Sequence, residues 1–414
     1  MANQISRLSV FSWALYDLAN TIFSMNIVSF YFSLWVVNEM GGTDSDYSFA
    51  NASSMMLMVL TAPVLGAISD QARRRIPFLV LTTLLCVGFT ALLGLGGLMV
   101  SLVFFVVANY MFQAGLIFYD SLLPEVSTEE NRGKVGGLGI GLGYVGSFIG
   151  IGSGLFLLDS IGYVGMFRLT AVLFLLFAIP CFLFVHERTI TAKDRKRVPE
   201  IVRGAFSQVF RTVKHAKQFP GLLRFLIGRL FYTDPVNTII IFMGIYVTNE
   251  VGFTEDEAQL LMLTAISSAV LGGIGWGFLV DRLQPKRSLL LVLISWMIVL
   301  FGAFAIAIFD LPKYLFWIDA CLAGISLGGT WAADRPLMLR LTPPSYVGEF
   351  YGLYSMVGRF ASVTGPLLWG LVVDTLNWGR PAAVFMLLIF IVISYLILRP
   401  IDDRPRDWSR FTLQ

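Results

Sequence analysis

Long apolar runs broken by short polar stretches dominate the chain. An α-helix needs about 20 apolar residues to cross a bilayer. Twelve runs of that order occur, at 9–37, 48–69, 76–97, 100–123, 135–158, 162–185, 221–248, 257–280, 287–309, 312–340, 348–374 and 380–399. Between the sixth and seventh lies a polar stretch, 186–220. The pattern predicts an all-α integral membrane protein with twelve transmembrane helices in two six-helix bundles, 1–185 and 221–399. Residues 186–220 form the linker and 400–414 a tail. The first run follows Arg7, lacks a small-residue cleavage site and is too long for a signal peptide, so it is expected to stay as a helix.

Composition agrees with the pattern. Of 414 residues, 56% are hydrophobic and 14% charged, against about 25% charged in soluble domains. The net charge of +3 provides no basic patch for nucleic acid. The three cysteines, Cys86, Cys181 and Cys321, lie singly in apolar runs, and both histidines, His186 and His215, fall in the polar stretch. No disulfide framework, metal site or cofactor is expected. No serine–histidine–acid set can form, and no phosphate-binding Gly-x-x-x-x-Gly-Lys-Ser/Thr occurs, so neither an enzyme nor direct ATP drive is expected. Gly141-x-Gly143-x-x-Gly146 matches a dinucleotide fingerprint in letters only, because no strand precedes it. The same run reads Gly146-x-x-x-Gly150-x-x-x-Gly154, a spacing that lets helices approach closely.

Lysine and arginine cluster in alternate loops. Arg73–Arg75, Arg132, Lys134, the polar stretch, Lys286 and Arg287 fall on one side, while Glu39, Asp44, Asp46, Glu250 and Glu255–Glu257 fall on the other. Basic loops stay cytoplasmic, which puts both termini and the linker there. Short outer loops without long extensions suit the plasma (inner) membrane of a bacterium. The basic linker is expected to be solvated rather than a specific lipid site.

The chain repeats itself. Asp17-Leu18-Ala19-Asn20-Thr21-Ile22 returns 217 positions later as Asp234-Pro235-Val236-Asn237-Thr238-Ile239. Gly66-x-x-x-Asp70 before arginines returns 211 positions later as Gly277-x-x-x-Asp281. Six helices per half make the repeats parallel, a design whose substrate site lies near the midplane. Ionisable side chains inside a bilayer are costly, by about 2.5–3.5 kcal/mol on insertion scales, and so mark candidate sites. Asp17 and Asn20 share a helix face, as do Asp234 and Asn237. At 1.5 Å per residue the two acids lie about 12–20 Å into their helices. Arg229 and Arg359 are the candidate intramembrane cations, with Tyr16 and Tyr144 beside the polar stripes. Together these eight residues are expected to bind a substrate or a proton. Either acid could equally cap a broken helix or pair with arginine, and Pro235 favours a break in the seventh helix. Arg168, near a helix end, is expected to snorkel.

Several segments resemble a known family. They are Ser12-Trp13-Ala14-Leu15-Tyr16-Asp17-Leu18-Ala19-Asn20, Phe118-Tyr119-Asp120-Ser121-Leu122-Leu123-Pro124-Glu125, the glycine-rich 137–144, and Glu349-Phe350-Tyr351-Gly352-Leu353-Tyr354-Ser355 running to Gly365-Pro366. With six plus six helices and Gly-x-x-x-Asp…Arg-Arg after the second, the chain resembles the major facilitator superfamily. Within it, the chain is most similar to the autophagy-related vacuole effluxers and their bacterial relatives. Arg73 stands where the superfamily often has Gly. The resemblance implies secondary transport by alternating access, with amino acid efflux the best-known activity of the branch. It also implies a cytoplasmic gate, carried onto Asp70, Arg74, Asp120, Glu125, Asp281 and Arg335. The expected partners are a small-molecule substrate, a coupling proton and membrane lipids, around a monomer. Two other readings stand beside it: a lipid or glycolipid flippase, and a non-transporting membrane receptor or scaffold.

Overall fold

A computed structural model describes residues 6–71, 75–128, 132–187, 214, 216–343 and 347–404. These residues form helices and connecting turns, with no strand among them. The N-terminal helices are α1 (Arg7–Glu39), α2 (Asp44–Gln71), α3 (Ile76–Ala91), α4 (Gly97–Asp120) and α5 (Arg132–Phe184). The C-terminal helices are α6 (Leu222–Asn249), α7 (Glu255–Leu283), α8 (Pro285–Ile308), α9 (Leu315–Leu341), α10 (Val347–Gly370) and α11 (Arg380–Leu398).

Among the described residues, nine helices are long and apolar enough to cross a membrane. Their outward faces are apolar too: Phe156 is 85% exposed and Phe278 is 70% exposed. A soluble monomer rarely presents such surface over its whole perimeter. The chain is a multi-pass integral membrane protein.

Helix ends follow from local chemistry. Ser6 caps α1 through its side chain, and Thr254 with Glu257 forms a reciprocal capping box on α7. Both satisfy backbone donors that a helix start leaves open. Proline occupies the first turn of α3, α8 and α11, where its missing N–H costs no hydrogen bond.

The chain divides into two compact units, Met1–Ala205 and Phe206–Gln414. In the first, α1 packs mainly on α5, α4 packs on α2 and α3, and α3 also touches α5. In the second, α6 packs on α10 and α11, α9 packs on α7 and α8, and α8 also touches α11. Taking α5 as two helices divided at its kink, the neighbour pattern of one unit is that of the other.

Three local features differ from expectation. Gly162 leaves helical geometry at φ 64° within α5, so the sixth run follows the fifth through a kink rather than a loop. Pro235 does not break its helix, because α6 is continuous from Leu222 to Asn249. Buried side chains on both sides of Pro235 hold the helix together although one backbone donor is missing. Helix α1 widens into π-helical turns at Ser24–Phe30 and Trp35–Glu39, which no sequence pattern announced. Such turns often lie near functional sites.

Candidate functional site

Each unit places its repeat aspartate on its first helix, against a glycine of a later helix. In the N-terminal unit the half-buried Asp17 lies beside Gly139 of α5. A methyl added at Gly139 would sit 3.0 Å from Asp17 Oδ2 and 3.0 Å from the Trp13 ring. The contact continues along the two helices. A methyl at Gly143 would sit 3.0 Å from Thr21 Oγ1, and one at Gly146 would strike the Leu18 carbonyl. The glycine row thus serves to bring α5 close to the face that carries Asp17.

Tyr16 points into the unit. Its hydroxyl lies 2.6 Å from Thr83 Oγ1, and its ring stacks on Tyr119 at 4.9 Å. Trp13 stacks on the other side of the motif, 4.7 Å from Tyr119, and donates to the Tyr119 carbonyl at 3.3 Å. Asn20 is buried, and its Nδ2 has no hydrogen-bond partner among the described residues. Tyr144 is half-buried on α5.

The C-terminal unit is more closed. Asp234 is buried at 3% exposure. Its carboxylate accepts from Thr238 Oγ1 at 3.4 Å and from Thr364 Oγ1 at 3.2 Å. Gly365 leaves it room, since any side chain there would collide with Asp234 and Thr238. Asn237 is half-buried and donates to Ser362 Oγ at 2.8 Å. Both members of this repeat motif therefore engage α10.

Arg229, one turn earlier on α6, forms an ion pair with Asp334 of α9, and both side chains are buried. Tyr354 of α10 closes the group. Its hydroxyl donates to Asp334 Oδ2 at 2.8 Å, its carbonyl accepts from Arg229 Nε at 3.3 Å, and its ring lies 3.6 Å under the guanidinium. Arg229 also donates to the Tyr232 hydroxyl at 3.3 Å. A buried pair with this many partners links three helices, and losing either Arg229 or Asp334 leaves the other charge uncompensated. Arg359 is half-buried on α10, and Arg168 is exposed.

Of the expected gate, Glu125 lies 3.8 Å from Arg75, which also donates to the Ser121 carbonyl at 2.8 Å. Asp120 and Arg335 are exposed. Arg74 lies outside the described residues, as do the side chains of Asp70 and Asp281. Glu187 and Asp403, neither singled out in the sequence, occupy matching places. Glu187 accepts the backbone N–H groups of Arg75 and Ile76 at the start of α3, the second at 3.1 Å. Asp403 accepts the N–H of Lys286 at the start of α8 at 3.2 Å, with Arg340 at 3.9 Å. In each half, an acid just after the last helix caps the third.

Arg335 stands out in the sequence but its neighbour Asp334 does not, and nothing there marks Thr364, Gly365 or Tyr354 as a partner of a buried acid. Asp334 stands towards the end of its helix, where a charge is ordinarily solvated, yet the register of α9 turns it inwards. A second polar cluster was invisible: Asn109 Nδ2 donates to Asn51 Oδ1 at 3.1 Å and to Ser54 Oγ at 2.8 Å, tying α4 to α2. Uncharged polar residues in apolar runs give little signal.

Comparison with known proteins agrees with this architecture. A family model described as vacuole effluxer Atg22 like matches residues 34–404. The MFS-type transporter YxiO of Bacillus subtilis is 30% identical over 410 residues, spanning 94% of this chain and 93% of its own. The autophagy-related protein 22 of Coccidioides immitis is 25% identical across 66% of this chain and 49% of its own. Among solved structures, a bacterial homologue of the human lysosomal transporter Spinster superposes with a TM-score of 0.69 at 14% identity, covering 95% of this chain and 96% of its own. The nucleoside transporter NupG gives a TM-score of 0.71 at 11% identity, covering 94% and 99%. The second pair shows the fold, and the family match shows the kinship. This chain belongs to the Atg22-like vacuole effluxer family, transporters rather than enzymes, on the major facilitator fold.

Proposed function

We propose that this protein is a secondary active transporter which exports a small polar or amphipathic solute of amino-acid type by alternating access, coupled to protons. The count of twelve spans belongs to this reading. Nine helices qualify by length and apolarity, the kink at Gly162 divides one of them, and α2 and α3 complete the set. Two halves, 1–185 and 221–399, joined by a cytoplasmic linker in a bacterial inner membrane, complete the arrangement, with both termini cytoplasmic.

The observation that carries the reading is Asp234. It is buried within a membrane helix, held by two hydroxyls and paired with no cation among the described residues. A carboxyl in that setting can exchange a proton or hold a substrate ammonium. Asp17 repeats it in the other half in a more open setting, against Gly139. Asn20 and Asn237 share helix faces with the two acids, and Tyr144 and Arg359 are half-buried within their own units, so that they could offer further hydrogen bonds or positive charge. Arg229 already has Asp334, so its role in this reading is a pair that opens and re-forms through the cycle. Biasing one conformation by such a pair is how charges steer alternating access.

The test is flux in proteoliposomes, with a panel of radiolabelled amino acids, with and without an outward-directed proton gradient (acid inside). Gradient-dependent flux that Asp234→Asn abolishes is the expected result. Absence of flux for every amino acid, with protein shown to be folded, contradicts this substrate class, and fluorescent lipids then test a flippase on the same scaffold.

A further inference from the structure

One further buried acid of the C-terminal half has been given no role. Asp319 lies on α9 four residues after its first residue, Leu315, and is 9% exposed. Among the described residues it makes no hydrogen bond and no ion pair. Its carboxylate presses on α8 where that helix has no side chain: a methyl at Gly302 would come within 2.6 Å of Asp319 Oδ1.

The charged groups around that end of the unit are engaged elsewhere. On α7, Glu257 is held by Lys313 at 2.9 Å. At the end of α6, Glu250 is held by Arg380 of α11 at 3.0 Å. The titratable group facing Asp319 from α6 is Tyr246, whose hydroxyl donates to the Ala303 carbonyl at 2.9 Å. None of these supplies a positive charge to Asp319. An ionised carboxylate there would lose its water and gain nothing in exchange.

Asp319 also begins a buried polar seam. Asp319, Ser326, Thr330 and Asp334 recur at spacings of seven and four, which keeps them on one side of α9. Ser326 Oγ lies 2.5 Å from Ser295 Oγ, and Thr330 Oγ1 accepts from Trp296 Nε1 at 2.9 Å, so the seam follows the α8–α9 contact. It ends at the Arg229–Asp334 pair, about 22 Å from Asp319 at 1.5 Å per residue.

We propose that Asp319 is a proton-binding site of the C-terminal half, protonated in this conformation and unloaded when α8 and α9 part. Its use in transport rests on the transporter reading above; its protonation does not. The test therefore has two arms. Infrared difference spectra of the full chain in liposomes, between acid and alkaline pH, should show a protonated carboxyl C=O band of an apolar site. That band should vanish in Asp319→Asn and persist in Asp234→Asn. Asparagine keeps the shape of the protonated acid, and Asp319→Leu provides a second way to remove it. In the flux arm, Asp319→Asn should retain solute exchange at equal pH and lose gradient-driven accumulation by about tenfold or more, a shift of about 1.4 kcal/mol per decade. A wild-type spectrum unchanged by either substitution overturns the proposal. A band that never titrates also overturns it, because the carboxyl is then permanently neutral. A band that titrates beside unaltered accumulation overturns the coupling role. If no solute moves in the wild type, the spectral arm still decides protonation.

Discussion

Burial without an opposite charge separates Asp234 and Asp319 from Asp334. Asp334 has Arg229 and Tyr354, and its cost of burial is offset by that arrangement. Removing one partner of a buried ion pair typically costs about 3–5 kcal/mol, whereas replacing both by apolar residues of similar volume is often neutral. Arg229→Met and Asp334→Leu are therefore each expected to lower the melting temperature of the purified protein strongly, and the double variant to recover most of the loss. A double variant as unstable as the sum of the singles would show that the pair does not act as a unit. Gly365 makes a second residue-level case, because even an alanine there meets Asp234 and Thr238. Overpacking of this kind costs about 1–3 kcal/mol. Gly352, with open space around its Cα, is the control. Thermal unfolding should separate Gly365→Ala from a neutral Gly352→Ala, and equal stability of the two would contradict the packing described.

Helix ends and helix contacts repeat between the halves more faithfully than the sequence does. Glu187 caps α3 and Asp403 caps α8, and each closes its half after the last helix. Replacing a capping side chain by alanine costs about 1 kcal/mol. Glu187→Ala and Asp403→Ala should each lower stability by that order, and hydrogen exchange should quicken at the first turn of α3 or α8 respectively. Exchange that quickens elsewhere, or not at all, would remove the capping role. The sequence disclosed the helices because apolar runs of this length leave few alternatives, and it disclosed the repeat through Asp17 and Asp234. It did not disclose these caps, since a glutamate or aspartate in a basic loop reads as solvated charge. Nor did it disclose the continuity of α6 through Pro235, which depends on packing by neighbouring helices. Partners such as Thr364 for Asp234 depend on helix rotation, which a pattern of apolar positions sets only to within a face.

For the whole molecule, family membership and the membrane-spanning architecture stand on independent grounds, while the cargo and its energy source are proposed. Two halves with the same internal packing suit a machine whose parts move as bodies. Such a machine needs a group whose charge changes during the cycle, and Asp234 is the group this account places in that role. The orientation proposal has its own test: single cysteines placed in the linker and near the C-terminus should react with a membrane-impermeant reagent only after cells are opened. Labelling in intact cells would reverse the assignment. The most direct test of the central claim compares wild type and Asp234→Asn in proteoliposomes, measuring amino acid accumulation under an outward proton gradient (acid inside), the direction that drives uptake by a proton-coupled exporter, beside exchange at equal pH. The account predicts that Asp234→Asn loses accumulation and keeps measurable exchange. Accumulation at the wild-type level in Asp234→Asn would contradict it.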